Sequence, residues 1–109
     1  MIELSRKFFF SCSLYNNKTH TGLNLVLEVF FKGKVDKTSN LVINFFNIDD
    51  FLKNNIKDWD HKEFVDTSFS DLANVFALDI KKNWPFNEAE LSKLSISVTE
   101  PFKKVEIFF

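Results

Sequence analysis

Apolar and polar residues alternate near both ends of the chain, whereas the middle follows a helical spacing. Between residues 23 and 31 every second residue is apolar, and Asn24 and Glu28 fall on the other side. A period of two over about ten residues is typical of a strand with one buried face. The same period returns at residues 94–98 and 105–109. These patterns predict one long strand before the middle of the chain and two strands after it.

A further strand is predicted at the start of the chain. Phe8, Phe9 and Phe10 lie in a run of strand-forming residues between residues 2 and 13. The polar stretch 15–22 ends in Gly22 and is predicted to be a loop.

Two amphipathic helices are predicted in the middle. Asn47 is the expected cap of the first helix, and Ser68, three residues before Asp71, is the expected cap of the second. Trp84 precedes a proline, which disfavours helical geometry, so the second helix should end there. Apolar residues at helical spacing form the expected buried stripes: Ile48, Phe51, Leu52, Ile56 and Trp59 in the first helix, and Leu72, Val75, Phe76 and Ile80 in the second.

The order strand, strand, helix, helix, strand, strand predicts an α+β fold, in a single domain over residues 1–109. We expect a four-stranded antiparallel sheet with two helices on one face. The other face and both sheet edges would then be uncovered, which is a liability unless they are paired. An oligomer that joins sheet edges into a barrel would cover both.

Composition and charge exclude several classes of protein. A net charge of −1 gives no basic surface for nucleic acid. One cysteine, Cys12, excludes an internal disulfide, and two histidines exclude a site of three histidines within the chain. We recognise no signal peptide and no apolar run of the ~20 residues that a membrane span needs, so a reducing cytoplasmic location is expected. The 15 phenylalanines reflect either A/T-rich codons or a ligand cavity lined by Phe.

Several short segments, in this order, carry a resemblance to a known family. They are TGLNLVLEV at 21–29, Gly33, LVINF at 41–45, FLK at 51–53, WDHK at 59–62 and SVTEP at 97–101. In order and spacing they resemble the 6-pyruvoyltetrahydropterin synthase and 6-carboxytetrahydropterin synthase family, whose members have the tunnelling fold. The resemblance extends from about Phe8 to Phe109. It implies a trimer or hexamer, a pterin-like ligand and a place in a tetrahydrobiopterin or queuosine pathway.

The same resemblance implies a zinc site that this chain has lost. Members of the family hold zinc with three histidines, whose positions correspond here to Leu14, Thr21 and Leu23. The family cysteine, four residues before the first histidine of the second stretch, corresponds to Asn17. His20 lies beside one ligand position, and a slip of the predicted loop would bring it in. One histidine does not make a catalytic zinc site, which typically has three protein ligands, so no metal is expected.

Two functional features of the family are retained. Asp60 and His61 match its Asp-His pair, in which the histidine works in proton transfer. Histidine suits this role because its side chain exchanges a proton near neutral pH. Alternatively they are a solvated pair at a helix end. Glu100 matches the glutamate that anchors the pterin ring through two parallel hydrogen bonds; its alternative is an ordinary turn carboxylate before Pro101. A reactive role for Cys12 is not favoured, because small buried cysteines are common structural residues.

Three functions remain open from the sequence. The first is a degenerate, zinc-free homologue that binds a pterin or purine-like heterocycle at subunit interfaces. The second is an active lyase that converts pterins by zinc-independent acid–base chemistry. The third is a non-catalytic scaffold subunit, which would assemble with itself or with a zinc-bearing paralogue. Retention of Glu100 favours the first over the third.

Overall fold

Two long strands, β1 (Ile2–Asn16) and β2 (Thr19–Gly33), form an antiparallel hairpin in the computed structural model. The structure describes residues 2–33, 45–99 and 102–109. The hairpin turn consists of Asn17 and Lys18, whose φ values of 51° and 63° are those of a two-residue type I′ turn. The predicted loop over residues 15–22 is therefore wrong, because most of these residues lie in the two strands.

The rest of the described chain supplies two helices and three strands. They are α1 (Phe45–Trp59), β3 (Glu63–Val65), α2 (Phe69–Asn83), β4 (Ala89–Thr99) and β5 (Phe102–Phe108). The strands form one sheet in the order β3-β1-β2-β4-β5. Four of them are antiparallel neighbours, as predicted, whereas β3 pairs in parallel with β1. The α+β class is confirmed, whereas the prediction of a purely antiparallel four-stranded sheet is incomplete, because among the described residues a fifth strand, β3, joins the sheet in parallel and makes it mixed.

The helix ends show which capping predictions hold. Asn47 lies inside α1 and does not cap it. Ser68 caps α2, because its hydroxyl oxygen accepts a hydrogen bond from the Asp71 amide at 3.1 Å. At the other end, Trp84 is extended, and α2 stops at Asn83 as expected. Residues 41–44 of the LVINF segment, before α1, lie outside the described residues.

Both helices pack against the same face of the sheet. Since cross-strand partners point to the same side, β1, β2 and β4 contribute one continuous apolar face. Its buried residues are Phe10, Cys12, Leu14, Leu25, Leu27, Val29, Phe31, Leu94, Ile96 and Val98. The buried helical residues include four of the five predicted for α1 and three of the four predicted for α2; Val75 is instead exposed.

Aromatic rings join the helices to the sheet. The rings of Trp59 on α1 and Phe76 on α2 stack with their centroids 4.2 Å apart. Phe10 from β1 and Phe64 from β3 meet the Phe76 ring edge-on at 5.6 and 5.8 Å. Such pairs contribute about 0.5–1.5 kcal/mol beyond the area they bury. Many of the phenylalanines thus serve the core.

The opposite face of the sheet is not covered by any described element. Phe9 and Phe108 on this open face are 74% and 72% exposed. No helix in the described parts of the chain has the length and apolar character needed to cross a membrane.

Candidate functional site

The three positions that correspond to zinc ligands in the resembling family lie together at the turn end of the hairpin. Leu14 and Thr21 are direct cross-strand partners. Leu23 is two residues beyond Thr21 on β2, so all three positions lie on the face that carries the helices. The strand register thus brings together positions that are up to nine residues apart in sequence (14 to 23).

The side chains of Leu14, Thr21 and Leu23, which together we call the corner, do not fit zinc. Leu14 is buried and Leu23 is partly buried, and both pack against the hydrophobic core. Zinc in proteins is held by histidine nitrogen, cysteine sulfur or carboxylate oxygen, and these two leucines offer none of them. Across residues 2–33, 45–99 and 102–109, no three side chains of His, Cys, Asp or Glu gather in a way that could hold a metal ion. The corner extends the core instead.

His20 does not enter this corner. The register pairs it with Tyr15, so it points to the face opposite Thr21. There its ring lies 4.4 Å from the Tyr15 ring, and its Nδ1 is 3.0 Å from Oε1 of Glu63. The slip considered from the sequence does not occur, because residues 19–22 belong to β2 and not to a loop.

Asp60 and His61 form a side-chain pair directly after α1. Nδ1 of His61 lies 2.9 Å from Oδ1 of Asp60. Neighbouring residues rarely pair in this way, and here the backbone permits it because His61 has a φ of 62° in the left-handed region. In the neutral ring, a proton on Nδ1 donated to Asp60 leaves Nε2 as an acceptor. The imidazole is 82% exposed, so this nitrogen is available to a ligand.

The backbone of Ser11 holds the pair against β1. The Ser11 amide donates to Oδ1 of Asp60 at 3.1 Å, and the Ser11 carbonyl accepts from the His61 amide at 2.6 Å. Two residues further, the Ser13 amide donates to the Lys62 carbonyl at 3.0 Å, and β3 follows. Sequence reasoning missed this role of Ser11, because backbone groups carry no signal of their own in a sequence.

Cys12 is buried beneath the same region of β1. Its burial, and secondarily the negative charge of Asp60, raise the pKa of the thiol to about 11. The thiol is therefore protonated at neutral pH, and a protonated thiol is a poor nucleophile. This agrees with the structural interpretation of Cys12.

Of the two remaining candidate positions, one lies in the hairpin turn and the other lies outside the described residues. Asn17, where the family has its cysteine, is the first residue of the hairpin turn. Glu100 lies outside the described residues; its neighbours Thr99 and Phe102 are cross-strand partners in β4 and β5. The structure thus brings Asp60 and His61 together and does not place Glu100 relative to them.

Comparisons of sequence and of structure give different answers. No protein-family model matches the chain, and no curated protein matches its sequence significantly. The structure is similar to that of 6-pyruvoyl tetrahydropterin synthase from Caenorhabditis elegans, with a TM-score of 0.83 and 17% identity over 99% of this chain and 95% of that one. It is also similar to the enzyme from Plasmodium falciparum, with a TM-score of 0.60 and 14% identity over 99% and 98% of the two chains. At these identities the likeness concerns architecture, and the chain has the fold of the 6-pyruvoyl tetrahydropterin synthases.

Proposed function

We propose that this chain is a zinc-free, 6-pyruvoyltetrahydropterin synthase-like protein that binds a pterin or purine-like heterocycle at subunit interfaces. The observation that carries the proposal is the contrast between two neighbouring parts of the site. The Asp60–His61 pair is formed, with contact at 2.9 Å, whereas the corner of Leu14, Thr21 and Leu23 offers two aliphatic side chains and a hydroxyl. The Asp-His pair that the resemblance implies is present and formed, whereas the residues that would hold a metal are absent.

The retained groups can hold or move a proton but cannot supply an electrophile. His61 is oriented by Asp60 and exposes Nε2, which is a suitable arrangement for a general base. Zinc would act as a Lewis acid on substrate oxygens, and no described side chain at the corner takes that role. Binding without turnover is therefore the function that we favour.

An active enzyme is the second candidate. The formed Asp60–His61 contact is the observation in its favour, because acid–base chemistry that needs no metal would depend on this pair. Conversion of a pterin by the parent protein in the presence of a chelator, lost in His61→Ala, would establish it. If no heterocycle binds, the remaining candidate function is a non-catalytic scaffold subunit.

Glu100 is proposed as the anchor of the ring. A carboxylate accepts two parallel hydrogen bonds from the amino and amide N–H groups of a 2-amino-4-oxo heterocycle. Hydrogen bonds to charged groups contribute about 1.5–3 kcal/mol each. Glu100→Gln keeps the shape but replaces one acceptor by a donor that faces a ring N–H.

Titration calorimetry with neopterin tests the proposal on three proteins. We expect the parent to bind, and Glu100→Gln to bind at least tenfold more weakly, since a factor of ten requires only about 1.4 kcal/mol. His61→Ala should weaken binding much less, because the role that the resemblance implies for His61 is proton transfer and not the anchoring of the ring. Equal affinities of the parent and Glu100→Gln would refute the anchor, and a parent that does not bind would refute the function.

A further inference from the structure

His20 connects two strands that are not neighbours in the sheet. It lies on β2, and Glu63 lies on β3, with β1 between them. Nδ1 of His20 is 3.0 Å from Oε1 of Glu63, so this contact crosses β1. The ring of Tyr15, on β1 itself, lies 4.4 Å from the His20 ring and limits how that ring can turn. We call the contact between His20 and Glu63 the crossing contact.

The crossing contact ends on a segment that follows the edge of β1, residues 60–67, which we call the edge segment. It contains the Asp60–His61 pair and β3, which has three residues. The hydrogen bonds described above join this segment to β1, as does the bond from the Asp66 amide to the Tyr15 carbonyl at 3.0 Å. A short edge strand opens more readily than the central strands of a sheet. The crossing contact adds a connection to β2, which is a central strand.

The backbone of the edge segment is strained on both sides of β3. His61 and Asp66 have φ values of 62° and 51°, in the left-handed region that residues other than glycine seldom adopt. Such a conformation costs free energy and persists only where surrounding contacts hold it. Release of β3 from the sheet would let His61 return to ordinary backbone geometry. Its side-chain contact with Asp60 would then be lost, because that contact depends on the left-handed backbone.

We propose that His20 is a positioning residue, which keeps β3 on the sheet through the crossing contact and thereby keeps His61 oriented by Asp60. The inference deepens the proposed function, on which it rests through the Asp60–His61 pair. It assigns a role to the one histidine of the chain that this pair does not use. The crossing contact needs no access for a ligand, so it is compatible with an oligomer that encloses the open face.

The size of the effect follows from the exposure of the crossing contact. The side chains of His20 and Glu63 are 67% and 43% exposed. Ion pairs with this exposure are individually weak and change a local equilibrium by at most about fivefold. Removal of the crossing contact should therefore loosen the edge segment and leave the global fold intact, which circular dichroism checks.

The ring of His61 reports its own orientation by NMR. Since the chain has two histidines, protein made with ¹⁵N-labelled histidine gives two sets of ring signals, and every His20 variant leaves those of His61 alone. At about pH 8.5, where histidine is ordinarily neutral, the ring nitrogen shifts distinguish a proton on Nδ1 from one on Nε2. We expect the Nδ1–H form in the parent, because Asp60 accepts this proton, and a shift towards the Nε2–H form in His20→Ala.

Three further variants separate positioning from a general loss of stability. His20→Asn keeps a donor near the place of Nδ1 and should restore the parent's His61 signals. Glu63→Ala removes the acceptor and should act as His20→Ala does, and the combination of both changes should add nothing to either one. Lys104→Ala removes an ion pair of the same length, 3.0 Å to Glu106 on β5, and should leave the His61 signals unchanged.

Hydrogen exchange measures the same loosening at the backbone. The amides of His61 and Asp66, which donate to β1, should exchange about two- to fivefold faster in His20→Ala than in the parent, and at the parent's rate in His20→Asn. Unchanged ring shifts and exchange in His20→Ala, or the same changes in Lys104→Ala, would overturn the assignment.

The outcome is independent of ligand binding, because all of these measurements are made without a heterocycle. A negative result would overturn the role of His20 and leave the binding of neopterin as proposed. Failure of the parent to bind neopterin would overturn the proposed function, whereas the ring shifts and exchange rates would still decide the role of His20.

Discussion

At the scale of single residues, the Asp60 carboxylate contacts two neighbouring residues and affects the pKa of a third. Asp60 accepts from the Ser11 amide, lies 2.9 Å from Nδ1 of His61 and adds to the rise in the pKa of Cys12. The left-handed backbone at His61 makes these contacts compatible. The sequence indicates Asp60 and His61 as a candidate pair, but the geometry of their contact depends on backbone bonds to β1 that no local pattern encodes.

Cys12 should react slowly with alkylating reagents. Its pKa is raised to about 11, mainly by burial, so raising the pH to 8 leaves the thiol protonated. Because the thiolate is the reactive form, iodoacetamide should label the folded protein far more slowly at pH 8 than the urea-unfolded protein. Mass spectrometry over time gives both rates.

A second thiol provides the comparison. Asn17→Cys places a cysteine at the exposed hairpin turn, and we expect this thiol to be labelled in the folded protein while Cys12 is not. Labelling of folded Cys12 at the rate of the unfolded chain would contradict its assignment as a buried structural residue.

At the scale of elements, long periodic segments could be predicted and short ones could not. The alternation in β2 and β4 and the stripe on α1 follow from burial of one face, so the pattern alone identifies them. β3 has three residues with only Phe64 buried, which is too short for a period. The polar end of the hairpin is extended because a type I′ turn at Asn17 and Lys18 sets the strand register. The polar composition of residues 15–22 does not indicate that such a tight turn lies among them.

The start of α2 depends on Ser68. Its hydroxyl accepts from the Asp71 amide, so Ser68→Ala should lower the free energy of unfolding by about 1 kcal/mol. Ser70→Ala, at an exposed position within the same helix, should change it by less than about 0.5 kcal/mol. Urea denaturation followed by circular dichroism measures both; equal effects would show that the cap is not what stabilises this helix end.

At the scale of the whole molecule, the described parts leave one face and long stretches of edge uncovered. Beyond β5 no described strand pairs with the sheet, and β3 covers β1 only at residues 13–15. Exposed strand edges and rings such as Phe9 and Phe108 favour association with further copies. Sheets that continue edge to edge into a barrel would enclose the open face.

We therefore predict an oligomer, which the family resemblance implies is a trimer or hexamer. Light scattering at micromolar concentration should give three or six times the mass of one chain, because edge pairing and burial of the open face act together. The mass of a single chain under these conditions would contradict the prediction.

The central claim is that this fold binds a pterin-like heterocycle without zinc. Calorimetric titration of the parent with neopterin, after treatment with a chelator and again after addition of zinc, tests it most directly. We predict binding with the same affinity in both titrations, because Leu14, Thr21 and Leu23 offer zinc no histidine, cysteine or carboxylate. Absence of binding, or binding that appears only with zinc, would contradict the account.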